Sequence, residues 1–213
     1  MDIVCFLFDG ITALDIVGPY EVLQRLPEAN VKFTAAKAGE IRTDNRFLAL
    51  VADYSLADVT SADVLVVPGG FATRALETDA AVLEWIRAVD ATTTWTTSVC
   101  TGSMLLAAAG LLEGKEATSH WASLERLRGY GAIPTGRRVV EQGKIVTAAG
   151  VSSGIDMALT LTARLAGDEF AQAVQLGIEY DPHPPFDAGS PEKAPAEIVE
   201  MLAAMYSSRG VGD

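Results

Sequence analysis

Cysteine and histidine are scarce in this chain, with two of each among 213 residues. The two cysteines, Cys5 and Cys100, are too few for a disulfide-stapled secreted scaffold or a four-cysteine zinc site. The two histidines, His120 and His183, are too few for a histidine-rich metal centre. Basic residues are also in short supply, 16 Lys and Arg against 28 Asp and Glu, for a formal net charge of −12. Nucleic-acid binding works by neutralising phosphates with Lys and Arg, so a nucleic-acid partner is not expected. No apolar run approaches the ~18 residues that span a bilayer, so no membrane partner is expected. The apolar start, Met1 to Phe8, lacks both a preceding positive region and a small-residue cleavage site, and does not read as a signal peptide. The expectation is a soluble cytoplasmic protein whose thiols stay reduced.

Hydrophobic side chains, by contrast, make up 49% of the chain. A chain of this length buries about 70% of its unfolded surface, and residues 1–213 are read as one domain. Short continuous apolar runs alternate with longer amphipathic stretches. Ile3–Phe8, ending at Asp9-Gly10, reads as a strand covered on both faces. Helical spacing follows over Ala13–Leu26, where Pro19 is tolerable only near the helix start. Further strands are predicted at Val31–Ala36, Asp63–Val67 and Thr92–Val99, with weaker ones near Glu116–Ser119, Arg137–Glu141 and Lys144–Thr147. Helices are predicted at Asp79–Val89, Gly102–Leu112, Ser152–Ala166, Glu169–Gln175 and Glu192–Tyr206. Such alternation implies an α/β fold, a mainly parallel sheet with helices on both faces. The proline-rich stretch from Asp181 to Pro191 is a long loop of the kind that covers a site or packs on a partner. Nothing after residue 150 resembles a helix-turn-helix module.

Ligands of open parallel sheets bind beyond the carboxyl ends of the strands. Three segments should meet there: Asp9 to Asp15, Pro68-Gly69-Gly70-Phe71, and Ser98 to Ser103. Cys100 is the sharpest feature, lying between a β-branched strand and a small-residue helix start, as in a nucleophile elbow. Helix-terminal amides would lower its pKa, and a fall of about two units from ~8.5 would leave it mostly thiolate at pH 7. Read alone, Cys100 is equally a small hydrophobe closing a buried strand; the two neighbouring loops favour the nucleophile. Cys5, mid-strand among apolar neighbours, reads as an inert buried thiol. Gly69 and Gly70, with the Thr101 amide, could form an oxyanion hole or simply a turn. Asp9 beside Gly10 reads as a turn residue. Asp15 lies amid Leu14, Ile16 and Val17, a poor place for a solvated carboxylate, and either caps the helix or acts as a general acid of raised pKa. Thr101 offers a hydroxyl to the site or starts the helix. His120 either lines the site or is structural, and His183 reads as a surface or packing residue.

These features together resemble the ThiJ/PfpI superfamily, over nearly the whole chain. The marks are Phe8-Asp9-Gly10, Leu14 to Pro19, Val67-Pro68-Gly69-Gly70, Ser98 to Gly102, Ala117 to Trp121, Thr147 to Asp156 and Ile178 to Pro182. Within the superfamily the chain is most similar to the isonitrile hydratase branch. Asp15 stands where many relatives place glutamate, and Thr101 follows the cysteine where the intracellular-protease relatives carry histidine. Class I glutamine amidotransferases need a downstream His-x-Glu, which neither His120 nor His183 provides. The resemblance implies a flavodoxin-like three-layer sandwich, a homodimer, and a lyase that needs neither metal nor organic cofactor. It further implies that water is added to a small-molecule isonitrile to give an N-substituted formamide, through a thioimidate on Cys100 with Asp15 moving the proton. Two competing readings remain: glyoxalase-like chemistry on small aldehydes through Cys100, and a non-catalytic redox or ligand sensor whose cysteine is oxidised.

Overall fold

The structure is a computed structural model that describes residues 1–208. Strand β1 (Asp2–Phe6) is followed by α1 (Ala13–Leu23), β2 (Asn30–Ala35), the pair β3 (Gly39–Arg42) and β4 (Ala49–Ala52), and the short β5 (Tyr54–Ser55). Then come β6 (Val64–Val67), α2 (Thr73–Leu76), α3 (Ala80–Asp90), β7 (Trp95–Val99) and α4 (Gly102–Ala108). Beyond them lie β8 (Glu116–Ala117), a 3-10 stretch (Trp121–Tyr130), β9 (Ile133–Pro134), β10 (Val139–Gln142) and β11 (Ile145–Ala148). Helices α5 (Ser153–Ala166), α6 (Asp168–Gly177) and α7 (Ala196–Ser208) complete the described chain.

Seven strands form the central sheet in the order β10-β11-β7-β6-β1-β2-β5. All its pairings are parallel except β10 with β11. The five core strands, β2-β1-β6-β7-β11, follow the flavodoxin-like order, and the direction of winding reverses at β1. Right-handed crossovers then place α1 on one face of the sheet and α3 and α4 on the other. Accordingly α1 packs on α5 and α5 on α6, while α4 packs on α2, α3 and the 3-10 stretch. Parallel strands covered on both faces need unbroken apolar sequence: Ile3, Val4, Leu7 and all of Val64–Val67 are fully buried. Burying each of these larger side chains stabilises the fold by about 1.5–3 kcal/mol.

Several local expectations are corrected. Pro19 sits well inside α1, not near its start. Its missing N–H leaves the Asp15 carbonyl without the usual helical donor, and its ring packs against the bare Cα of Gly154 on α5. The β3–β4 pair and the 3-10 stretch are not anticipated, since neither shows a strong period. The Glu116–Ser119 segment shrinks to β8, which pairs with β9 outside the main sheet. The proline-rich stretch is exposed from Pro182 to Gly189 and does not line the cavity beside Cys100. Among the described residues no helix is long and apolar enough to cross a membrane.

Candidate active site

The winding reversal opens a crevice between the loops that follow β1 and β6, and the β7–α4 junction closes its floor. Cys100 occupies that junction with φ +57°, in the left-handed region that costs a non-glycine residue about 1–2 kcal/mol. Four hydrogen bonds hold it there. Its N–H is shared between the carbonyls of Ala148 (3.1 Å) and Ala149 (3.0 Å), and its carbonyl accepts from the hydroxyls of Ser103 and Ser119, each at 3.1 Å. The strained turn lifts the side chain to the edge of a cavity of about 180 Å³, although the residue is only 5% exposed.

Asp15, in the first turn of α1, is fully buried beneath this floor. Its Oδ2 accepts from the Gly69 N–H at 2.9 Å, and the same carboxyl is hydrogen-bonded to the Cys100 side chain. Its Oδ1 is buried and has no hydrogen-bond partner among the described residues. Burial pushes the Asp15 pKa up to about 7, against the Gly69 and Cys100 hydrogen bonds that favour its charge; the nearby Asp44 adds a smaller push upward.

The thiol departs from the sequence-based expectation. The amides of Thr101 and Val151 do face the sulfur and favour its anion, but burial first and the Asp15 charge second hold the Cys100 pKa well above the ordinary thiol value. Helix-terminal amides cannot outweigh desolvation beside a carboxylate. Cys100 is therefore not a free-standing thiolate. Above pH 7 it is one half of a thiol–carboxylate pair that holds a single proton, and the protons of such a pair belong to both groups.

The oxyanion-hole expectation is also corrected. The Gly69 amide is engaged by Asp15, and the Gly70 amide donates to Thr101 Oγ1 at 3.0 Å. The Thr101 hydroxyl in turn lies 3.2 Å from the Gly70 carbonyl. The Thr101 hydroxyl thus pins the β6 loop to the elbow, while its backbone amide is the part that faces the sulfur. A Cβ on Gly69 would stand 2.5 Å from the Thr101 nitrogen and 2.9 Å from Asp15 Oδ2, so only glycine lets the three segments meet. On Gly102, a Cβ would lie 2.1 Å from the Val67 carbonyl oxygen, which is why α4 starts tight against β6.

His120 lines the cavity. Its Nδ1 accepts from the Ala122 amide at 3.3 Å, and burial lowers its pKa, so the ring is neutral with its proton on Nε2. Gly150 makes room for it, since a Cβ there would meet the ring at 2.7 Å. His183 is far more exposed and lies in the proline-rich loop, hydrogen-bonded to Asp181. Asp9 accepts from the Arg42 amide at 2.8 Å, a turn-stabilising role.

Residues to which the sequence assigns no role of their own complete the wall. Val151 supplies the second sulfur-facing amide from a φ of +29°. Its segment, Gly150 to Gly154, stands out in the sequence, but an amide donor leaves no side-chain signature. Ser119 reaches the site only through the fold, whereas Ser103 lies in the same segment as Cys100. Phe71, Arg74, Arg126 and Tyr206 line the mouth of the cavity. Arg126 is held by a two-oxygen contact with Glu77 at 2.7 and 2.9 Å, and the Tyr130 hydroxyl donates to the same carboxylate at 2.6 Å. Among the described residues no group of three or more His, Cys, Asp or Glu is placed to hold a metal ion.

Residues 1–164 match the DJ-1/PfpI family. The chain is 44% identical over 194 residues to the isonitrile hydratase of Pseudomonas putida, covering 91% of this chain and 85% of that protein. It is 31% identical over 148 residues to the HTH-type transcriptional regulator CdhR of Pseudomonas aeruginosa, covering 68% of this chain and 43% of that one. A crystal structure of a ThiJ/PfpI family protein from Pseudomonas syringae superposes with a TM-score of 0.95 at 37% identity, covering all of this chain and 88% of that one. The chain belongs to the DJ-1/PfpI family.

Proposed function

We propose that this DJ-1/PfpI chain is an isonitrile hydratase, a lyase that converts R–N≡C and water to R–NH–CHO. The similarity over most of its length to the Pseudomonas putida enzyme supports the reaction. The observation that carries the chemistry is the buried Asp15 carboxyl paired with the Cys100 thiol at the floor of a cavity.

An isonitrile carbon is both weakly basic and, once protonated, electrophilic. The singly protonated pair meets both needs with one proton. Asp15 takes the proton from Cys100 as the sulfur attacks the isonitrile carbon, and returns it to that same carbon. A C–S and a C–H bond form, and the S–H bond breaks, leaving the thioimidate R–N=CH–S–Cys100. Asp15 is then a carboxylate again and accepts a proton from the attacking water while the oxygen bonds to carbon. It passes that proton to the substrate nitrogen. In the last step the hydroxyl proton moves through Asp15 to the sulfur, the C–S bond breaks, and the formamide C=O forms. The Thr101 and Val151 amides stabilise charge on sulfur as it attacks and as it leaves. Positioned proton transfer of this kind contributes about 10²–10⁴-fold.

The same reading carries a homodimer, to be checked by sedimentation, and a cytoplasmic location. It includes no nucleic-acid or membrane partner, in keeping with the net charge of −12. The test is to incubate the protein with an alkyl isonitrile and look by mass spectrometry for a product heavier by one water. Conversion that disappears in Cys100→Ala is expected. Inertness with intact, reduced Cys100 would overturn the hydratase, and consumption of glyoxal instead would favour the aldehyde chemistry.

A further inference from the structure

The family match ends at residue 164, yet the wall of the cavity does not. Tyr206, on α7 and beyond that boundary, lines the same cavity as Cys100. Its ring stands 5.2 Å from His120 in an edge arrangement, 5.8 Å from Trp121 and 6.4 Å from Phe71. His120 and Trp121 are themselves neighbours at 5.6 Å. Rings within 4.5–7 Å at tilted angles are the favoured aromatic geometry, so these form a continuous aromatic wall. Helix α7 has no buried residue; Tyr206 is half-buried, and Ile198, Met201 and Met205 are exposed. The Pseudomonas syringae structure, which matches this chain over its full length, spans this helix.

We infer that Tyr206 is a specificity-determining residue, and that the wall it completes favours isonitriles whose substituent is a flat aromatic ring. Reaction at the floor fixes the isonitrile carbon at the Cys100 sulfur, and the substituent then projects toward the mouth. A flat ring finds Phe71, His120 and Tyr206 there and gains ring contacts in addition to burial; a methyl group has no ring face to offer them. The inference rests on the hydratase reading, because it assumes which end of the substrate lies at the sulfur.

Two measurements on the full chain test it. The first compares kcat/KM for phenyl isonitrile and methyl isonitrile. Tyr206→Ala is expected to lower the phenyl-to-methyl ratio about tenfold, through KM, while Tyr206→Phe keeps the ratio. An unchanged ratio in Tyr206→Ala, or equal losses for both substrates, would overturn the inference. So would a loss in Tyr206→Phe as large as in Tyr206→Ala. The second is calorimetric binding of N-phenylformamide, the expected product, which needs no turnover. About tenfold weaker binding to Tyr206→Ala supports the ring wall even if isonitriles prove not to be hydrated, and that failure then falls on the hydratase reading alone. Equal binding to both proteins counts against Tyr206 whatever the activity.

Discussion

Cys5 and Cys100 are both buried, and burial pushes both thiols up, Cys5 to about 12. By acidity alone neither is a nucleophile. What separates them is company. Cys5 lies mid-strand in β1, with burial as the sole cause of its shift. Cys100 faces a cavity, two amides and a carboxyl that is itself near neutrality. The comparison teaches that reactivity in this molecule resides in a pair and not in a depressed thiol: desolvation makes the proton hard to lose, and Asp15 gives it somewhere to go.

The largest expected effect separates the two thiols outright. Cys100→Ala should abolish isonitrile turnover, a loss of at least about 10⁴-fold, whereas Cys5→Ala should keep turnover and lose on the order of 1 kcal/mol of stability through lost packing. Steady-state kinetics and denaturant melts on both variants check this. Next, Asp15→Asn should keep a folded protein and a titratable thiol but lose about 10²–10⁴ in kcat/KM. Retained activity would leave Asp15 with only the structural role of holding the Gly69 amide, since it does not cap α1.

Gly69→Ala is expected to cost roughly tenfold to a hundredfold in kcat/KM, because the new Cβ must displace either the Thr101 amide or the Asp15 carboxylate from its present position. The profile of kcat/KM against pH should rise as pH passes through about 7, where the pair goes from two protons to one, and Asp15→Asn should lose this limb.

The last effect is on stability. A carboxyl whose folded pKa is raised from 3.8 to about 7 favours folding fully below pH 3.8 and loses that contribution as pH climbs to 7. Asp15→Asn should therefore melt higher than the parent protein above pH 7, by on the order of 2–4 kcal/mol at most, with the gap closing below pH 4. A gap that widens toward acid would reverse the sign of the account.

Much of this was readable from the chain, for physical reasons that differ by element. The parallel core strands announce themselves because burial on both faces demands runs such as Val64–Val67. Cys100, Asp15 and Gly69 could be placed at one crevice because strand ends converge in this topology. The thiol's charge state was not readable, since it depends on the distance between residues far apart in sequence and on how much water remains between them. The roles of the Gly69 and Gly70 amides are hidden for the same reason: sequence shows that backbone is bare, not which partner already holds it. Val151, an amide donor on an apolar residue, gives no side-chain clue. Tyr206 reads as an ordinary helix residue until α7 is seen against Phe71 and His120.

A carbon-13 NMR titration of the Asp15 carboxyl and the Cys100 Cβ would examine the shared proton directly. The expected result is a carboxyl midpoint near 7 with the cysteine still a thiol on the alkaline side of it. A carboxyl that titrates near its ordinary 3.8, beside a cysteine already ionised at pH 7, would contradict the account.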